Sequence, residues 1–414
     1  MRVVHERCAG LDVHKKTVVA CRIVPDGKGG WQIEVRTFGT MTDDLLKLAD
    51  WLREGRVTHV AMESTGVYWK PVFNILEGDF EVLLVNAKHI KFVPGRKTDV
   101  KDAQWIAELL QHGLLKASFI PKAPQRDLRE LTRYRLHLVN ERTREVNRVH
   151  KVLEDANIKL SSVATNIMGV SGRNMLSAII AGKDDPEALA QLAKGRMRNK
   201  IADLERALTG RIKDNHRLML TLHLEHIDDL NGKLTRLEEE IDRLIAPFDE
   251  DDLIERFDEI TGIDKKTAQV VIAELGIDMS RFKNANHATS WAGLVPGKNE
   301  SAGRNRSSRT NKANRYLKSA LVQAAHAAGR SKNNYLSAQY RRIASRRGKK
   351  RAAVAVARSI LVIMYHMIDR GTRYQELGGN YFDERKQETV QKQLIRRLEK
   401  LGLKVTIEPL PTAA

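Results

Sequence analysis

Cysteine is nearly absent from this chain: its 414 residues hold two, Cys8 and Cys21. They form neither a zinc-ligand spacing nor a disulfide framework, which leaves a reducing cytosol as the natural setting. Aromatic residues make up only 5%, too few for extended platforms on which single strands stack. No run of about 18 consecutive apolar residues occurs, so no membrane span is expected. The opening "MRVVHERCAGLDVH" has no apolar signal core, so no secretory leader is expected.

Acids are also in deficit. Lys and Arg number 71 against 52 Asp and Glu, a formal charge of +19. The imbalance is uneven: residues 301–350 hold 14 Lys/Arg and no Asp or Glu. A solvated helix face mixes signs. A stretch this one-sided suits a polyanion, most simply nucleic acid. With 42% hydrophobic and 30% charged residues the chain is globular, and its length exceeds one ordinary core, so two or three domains are expected.

The first 120 residues alternate strand and helix signals. "RCAGLDVHK" and "TVVACRIV" read as strands, the Gly-rich "PDGKGG" as a turn, and "WQIEVRTF" as a third strand. "TDDLLKLADWL" opens with acids and runs apolar at helical spacing. Then come a buried strand ending in Glu63, a helix with Pro71 near its start, the strand "EVLLVN", and a helix out of "GRKTDVKDAQWIAELL". The order β-β-β-α-β-α-β-α describes a mixed sheet. Beyond it, residues 125–160 read as one long charged helix. Leu220, Ile227, Leu230, Leu234, Leu237, Ile241 and Leu244 form an a/d seam, predicting a coiled coil within one chain or between chains. Residues 161–215 read as short helices and loops. "TGIDKKTAQVVIAELG" resembles a helix-hairpin-helix, in which the Gly262 turn, Lys265 and Lys266 contact a phosphate without reading bases. An ordinary helical hairpin is the alternative. The chain closes on an amphipathic helix within residues 383–405.

Four acids stand out. Asp12 lies in the first strand, Glu63 ends the fourth, and Asp99 and Asp102, three residues apart, open the helix after the fifth. First and fourth strands are neighbours in a sheet of this order, so the four carboxylates are expected to converge. Bare, such a cluster raises its own pKa values; hard divalent cations with oxygen ligands stabilise it, and Mg²⁺ suits sites that also meet phosphate. Singly, each acid reads as a satisfied polar residue or a helix-dipole complement.

"GLDVHK", "ESTGVYWKPV", "KTDVKDAQWIAELL" and "GLVPGKNESAGRNR" together resemble the IS one-ten (DEDD) insertion-sequence transposases, relatives of the pilin-gene inverting recombinases. The resemblance covers nearly the whole chain. It implies a fold of class α/β plus α: an RNase H-like, RuvC-type domain over 1–122, a helical coiled-coil region over 123–250, a mostly helical transposase domain with the helix-hairpin-helix over 251–375, and a tail over 376–414. It implies Mg²⁺ on Asp12, Glu63, Asp99 and Asp102, and a serine that forms a phosphoserine link with DNA. The matching position is Ser301 in "NESAGRNR", where the family's Glu-Ser-Gly-like turn carries Ala302 before Gly303; Ser307 and Ser308 stand close by. Arg304, Arg306, Arg309, Lys312 and Arg315 would face phosphate. The family further implies donor and target DNA, a structured guide RNA that selects sequence by base pairing, a homodimer or homotetramer assembling acids and serine in trans, no membrane, and a bacterial or archaeal cytosol close to the nucleoid. Two other readings remain at this stage: a RuvC-like structure-selective endonuclease using metal-activated water, and a non-catalytic nucleic-acid-binding protein.

Overall fold

The computed structural model describes residues 2–64, 66–86, 102–249, 251–297, 300–301, 304–305, 309–310, 313–385 and 387–406. Asp99, Arg306, Lys312, Ser307 and Ser308 lie outside them. The chain divides into two compact units, Met1–Pro121 and Lys122–Ala414.

The first unit is built on a five-stranded sheet of order β3-β2-β1-β4-β5. Its strands are β1 (Cys8–Val13), β2 (Thr17–Pro25), β3 (Trp31–Gly39), β4 (His59–Glu63) and β5 (Glu81–Val85). β1, β2 and β3 form an antiparallel meander, while β4 runs parallel to both β1 and β5. Alternation divides β1 between two cores. Ala9, Leu11 and Val13 join the core that includes Leu45, Leu48 and Leu52 of α1 (Thr42–Glu54) and Val72, Phe73 and Leu76 of α2 (Trp69–Leu76). Cys8 faces the other side and packs with Cys21, Ala61, Ile106 and Leu110 under α3 (Asp102–Gln111). A period of two puts Gly10 and Asp12 on that second side as well.

The second unit is helical apart from one small hairpin among the described residues. The long helices α4 (Ala123–Asp155) and α9 (Asp214–Ile245) lie antiparallel within the chain. Their cross-contacts run in opposite numerical order: Arg142 to Asn231, Glu145 to His223, Asp155 to His216. Leu220, Ile227, Leu230 and Ile241 of the expected seam are buried. α9 thus pairs with α4 of the same chain. Residues 160–208 supply α5 (Leu160–Val163), α6 (Val170–Ile180), α7 (Pro186–Ala190) and α8 (Ile201–Leu208). Their Leu160, Met175, Leu176, Leu189 and Leu204 pack against Val149 and Leu153 of α4 and Leu220, Leu224 and Ile227 of α9.

At the opposite end Leu128, Ile241 and Ile245 enter a larger core. Its helices are α10 (Leu253–Asp258), α11 (Lys265–Leu275), α12 (Ala285–Trp291), α13 (Arg315–Arg330), α14 (Tyr335–Arg347) and α15 (Lys349–Arg370). α15 is long and apolar enough to cross a membrane by length and composition, with half of its apolar window buried inside the unit. Its Val356, Ile360, Leu361 and Met364 are core residues. Two short elements follow, α16 (Tyr381–Glu384) and α17 (Gln387–Glu399).

Candidate active site

Three of the four expected acids lie in the described part of the first unit. Leu11 and Met62 pair in register across β1 and β4, so Asp12 and Glu63, one residue further along each strand, are neighbours at the same end of the two strands. Ala61 belongs to the core under α3, and alternation puts Glu63 on that face beside Asp12. Asp102 is the first residue of α3.

The approach of α3 to the sheet depends on Gly10. A Cβ at Gly10 would lie 2.3 Å from both the Ala103 carbonyl oxygen and the Ala107 nitrogen. The Cys8 thiol donates to the Ala107 carbonyl at 3.6 Å. The residues facing the helix thus descend in number along it as those on β1 ascend. Continuing that pairing carries Asp12 towards the N-terminal end of α3, where Asp102 sits. Asp12 is half-buried and pairs at 3.0 Å with Nε2 of His14, an exposed residue just past β1.

These donors are carboxylate oxygens, which fit a hard divalent cation such as Mg²⁺. Among the described residues no group of three or more His, Cys, Asp or Glu stands close enough to hold a metal ion; Asp99, the fourth expected ligand, lies outside them. The two thiols beneath the site are unfit as ligands or nucleophiles. Burial pushes both Cys8 and Cys21 up to about 12, so neither forms the thiolate that such chemistry requires.

In the second unit Ser301 lies on β6 (Glu300–Ser301) and Arg304 on β7 (Arg304–Asn305), opposite each other in an antiparallel hairpin. The base of this excursion is closed by a bridge between Pro296 and Thr310 and by the Gly297 N–H donating to the Arg309 carbonyl at 2.9 Å. α12 leads into the excursion and α13 leaves it. Arg309 and Arg315 are exposed.

The anchor of this region was missed by the sequence reading. Glu274, near the end of α11, is fully buried. Arg133 of α4 grips it with two hydrogen bonds, Nε to Oε1 at 2.6 Å and Nη2 to Oε2 at 2.8 Å. Arg129 adds an ion pair at 3.2 Å. Asn314 donates from Nδ2 to Oε2 at 2.7 Å, while its Oδ1 caps α13 by accepting from the amides of Tyr316 and Leu317. One carboxylate therefore fixes two arginines and the first turn of the helix that follows the serine hairpin. Burial draws Arg129 down to about 10, with Glu274 opposing that shift and Arg133 and Arg281 adding to it.

The segment expected to form a helix-hairpin-helix holds α10, a turn through Gly262 and α11. Gly262 has φ +93°, and a Cβ there would lie 2.5 Å from the Ala324 carbonyl oxygen on α13. The turn is thus pressed against the core and admits only glycine. Asp264 caps α11 by accepting from the Thr267 amide at 2.8 Å, which puts a carboxylate where an anion would bind. Lys265 pairs with Asp242 at 2.8 Å and Lys266 with Glu238, both acids on α9. The lysines tie α11 to the long helix pair in this structure.

A five-stranded mixed sheet with carboxylates at the ends of its two parallel central strands is compatible with a DEDD nuclease-like domain. Residues 9–158 match the DEDD transposase domain of the IS110 type, and residues 254–341 match the transposase IS116/IS110/IS902 family. The chain belongs to the IS110 family of insertion-sequence transposases. A protein described as a probable family 20 transposase, from Pseudomonas aeruginosa (strain PAO1), is 25% identical over 336 residues, 80% of this chain and 89% of that protein. The transposase for insertion sequence element IS1111A of Coxiella burnetii is 26% identical over 327 residues, 77% of this chain and 80% of that protein. The chain is accordingly a DNA transposase.

Proposed function

We propose that this transposase cuts and rejoins DNA through a phosphoserine intermediate, with Asp12, Glu63, Asp99 and Asp102 holding Mg²⁺ and Ser301 as nucleophile. The observation that carries the reading is the adjacency of Asp12 and Glu63 on neighbouring strands, on the face covered by the helix that Asp102 begins. When bound, Mg²⁺ supplies Lewis-acid stabilisation of the phosphoryl oxygens.

The protein's own groups do the rest. The Ser301 hydroxyl attacks phosphorus and gives up its proton to a base; an O–P bond to serine forms as the P–O bond to one DNA strand breaks. The departing oxygen takes up a proton and leaves as a DNA hydroxyl. Rejoining is the reverse, with a hydroxyl of the new partner strand attacking the phosphoserine and releasing Ser301. A serine needs such assistance because its hydroxyl is a weak nucleophile. Arg304, Arg306, Arg309 and Lys312 offset the charge that develops on the phosphoryl group. Assembly of a homodimer or homotetramer supplies acids and serine from different protomers. A structured RNA selects donor and target sequence by base pairing, leaving the protein to read backbone and shape. Gly262, Lys265, Lys266 and Arg315 contact phosphates, the two lysines exchanging Asp242 and Glu238 for nucleic acid.

The test uses purified full-length protein, Mg²⁺, element-junction DNA and RNA transcribed from the element's flanks. Asp12→Asn and Asp102→Asn should each abolish strand cleavage while DNA binding stays at the wild-type level. Cleavage at the wild-type rate by either variant rules out the metal-site assignment.

A further inference from the structure

A cleft of about 550 Å³ opens at the base of the serine hairpin, lined by Arg129, Arg133, Trp291, Asn314, Arg315 and Tyr316. Among the described residues no carboxylate lines it. Glu274 sits behind it as the buried counter-charge to Arg129 and Arg133. Two of the cleft's guanidiniums are organised by the same ring. Arg133 lies 4.6 Å and Arg315 4.8 Å from the Tyr316 centroid. Arg315 Nη2 also donates to the Tyr316 hydroxyl at 2.8 Å. His137 approaches from α4, its Nε2 3.2 Å from the same hydroxyl.

The donor geometry is defined for Arg133. Its Nε and Nη2 are spent on Glu274, which leaves Nη1 for a ligand. Arg315 is exposed, with Tyr316 as its hydrogen-bonding partner. Such a set, aromatic-backed and fixed by a buried carboxylate, has the planar donors that recognise phosphate oxygens in pairs. The cleft also lies close in chain to the reacting residue. Ser301 lies five positions beyond Pro296, at the closing bridge, a reach of no more than about 18 Å.

We propose that Arg133 and Arg315, arranged round Tyr316, clamp a backbone phosphate of a nucleic-acid strand a short distance from the one Ser301 attacks, with Glu274 as the positioning residue. This rests on the proposed function for its serine and adds a binding site that the strand-cleavage chemistry does not require. Phosphate is the chemistry recognised; the strand is DNA or the guide RNA.

Salt dependence reads phosphate contacts directly, because each one lost lowers the slope of log affinity against log salt by about one. Full-length protein would be titrated at several salt concentrations with a labelled DNA duplex and, separately, with RNA transcribed from the element's flanks. Arg315→Gln, an exposed change that leaves Glu274 gripped, and Arg133→Gln are expected to weaken binding about tenfold and to lower the slope by about one. The arm in which the slope falls names the strand. Glu274→Gln keeps both cations of the clamp, so it should lower affinity through loss of order while leaving the slope near wild type. Unchanged slopes for both arginine variants in both arms would overturn the clamp, whatever their affinity. A lowered slope together with cleavage that survives Ser301→Ala would keep the clamp and remove the phosphoserine reading.

Discussion

Gly10 and Ala103 are in backbone contact: a Cβ on Gly10 would lie 2.3 Å from the Ala103 carbonyl oxygen. That contact lets α3 lie directly on β1, and it fixes where Asp102 stands relative to Asp12. A strand glycine ordinarily weakens a sheet; here it makes room for the helix that carries Asp102.

Gly10→Val should therefore act on both fold and function. The added carbons meet backbone, which cannot rotate away, so the helix must lift. A loss of about 1–3 kcal/mol in unfolding free energy is expected from such overpacking. Denaturant unfolding measures it, and strand cleavage should fall further than stability does, since the acids separate before the unit unfolds.

Glu274→Ala removes a fully buried carboxylate and leaves Arg129 and Arg133 without it. Breaking one side of a buried ion network costs about 3–5 kcal/mol. The melting temperature of the variant, followed by circular dichroism, should drop accordingly. A change below about 1 kcal/mol would show that the arginines find other partners.

Lys265 and Lys266 separate two roles. Their pairs with Asp242 and Glu238 are exposed, and surface pairs contribute about 0–1 kcal/mol. Changing both lysines to Gln should leave stability within that range and weaken binding to a DNA duplex. Weaker folding with unaltered binding would assign them to α9 alone.

The two thiols give a pH prediction. Burial raises Cys8 and Cys21 to about 12, above their value in an unfolded chain, near 8.5. Between those values the unfolded state loses protons that the folded state keeps. Stability contributed by the buried thiols is thus complete below about pH 8.5 and declines as pH rises towards 12. Iodoacetamide at neutral pH should label neither cysteine until denaturant is added; labelling in the native protein would contradict the buried placement.

The sheet was legible because its signals are local. β-branched runs, a Gly-rich turn and acids at a helix start gave the order of elements, and chain order alone made β1 and β4 neighbours. The seam of Leu220, Ile227, Leu230 and Ile241 marked α9, though spacing alone left open whether its partner was α4 or another chain. The rest depended on distant pairings. Glu274 in "VIAELG" reads as an ordinary charge near a helix end, and its partner Arg133 lies 141 residues earlier. Residues 161–215 gave no clear periodicity because their helices are short and pack on one another as well as on α4 and α9. Lys265 and Lys266 read as phosphate ligands from their place at a helix start; the acids of α9 that hold them were invisible at that range.

The central claim is that Ser301 carries the DNA. Wild-type protein and Ser301→Ala would be incubated with Mg²⁺, element-junction DNA and RNA transcribed from the element's flanks, then run on a denaturing gel. The account predicts DNA covalently attached to the wild-type protein and none attached to the variant. Cleaved DNA without an adduct in either protein would contradict it and point to hydrolysis by water.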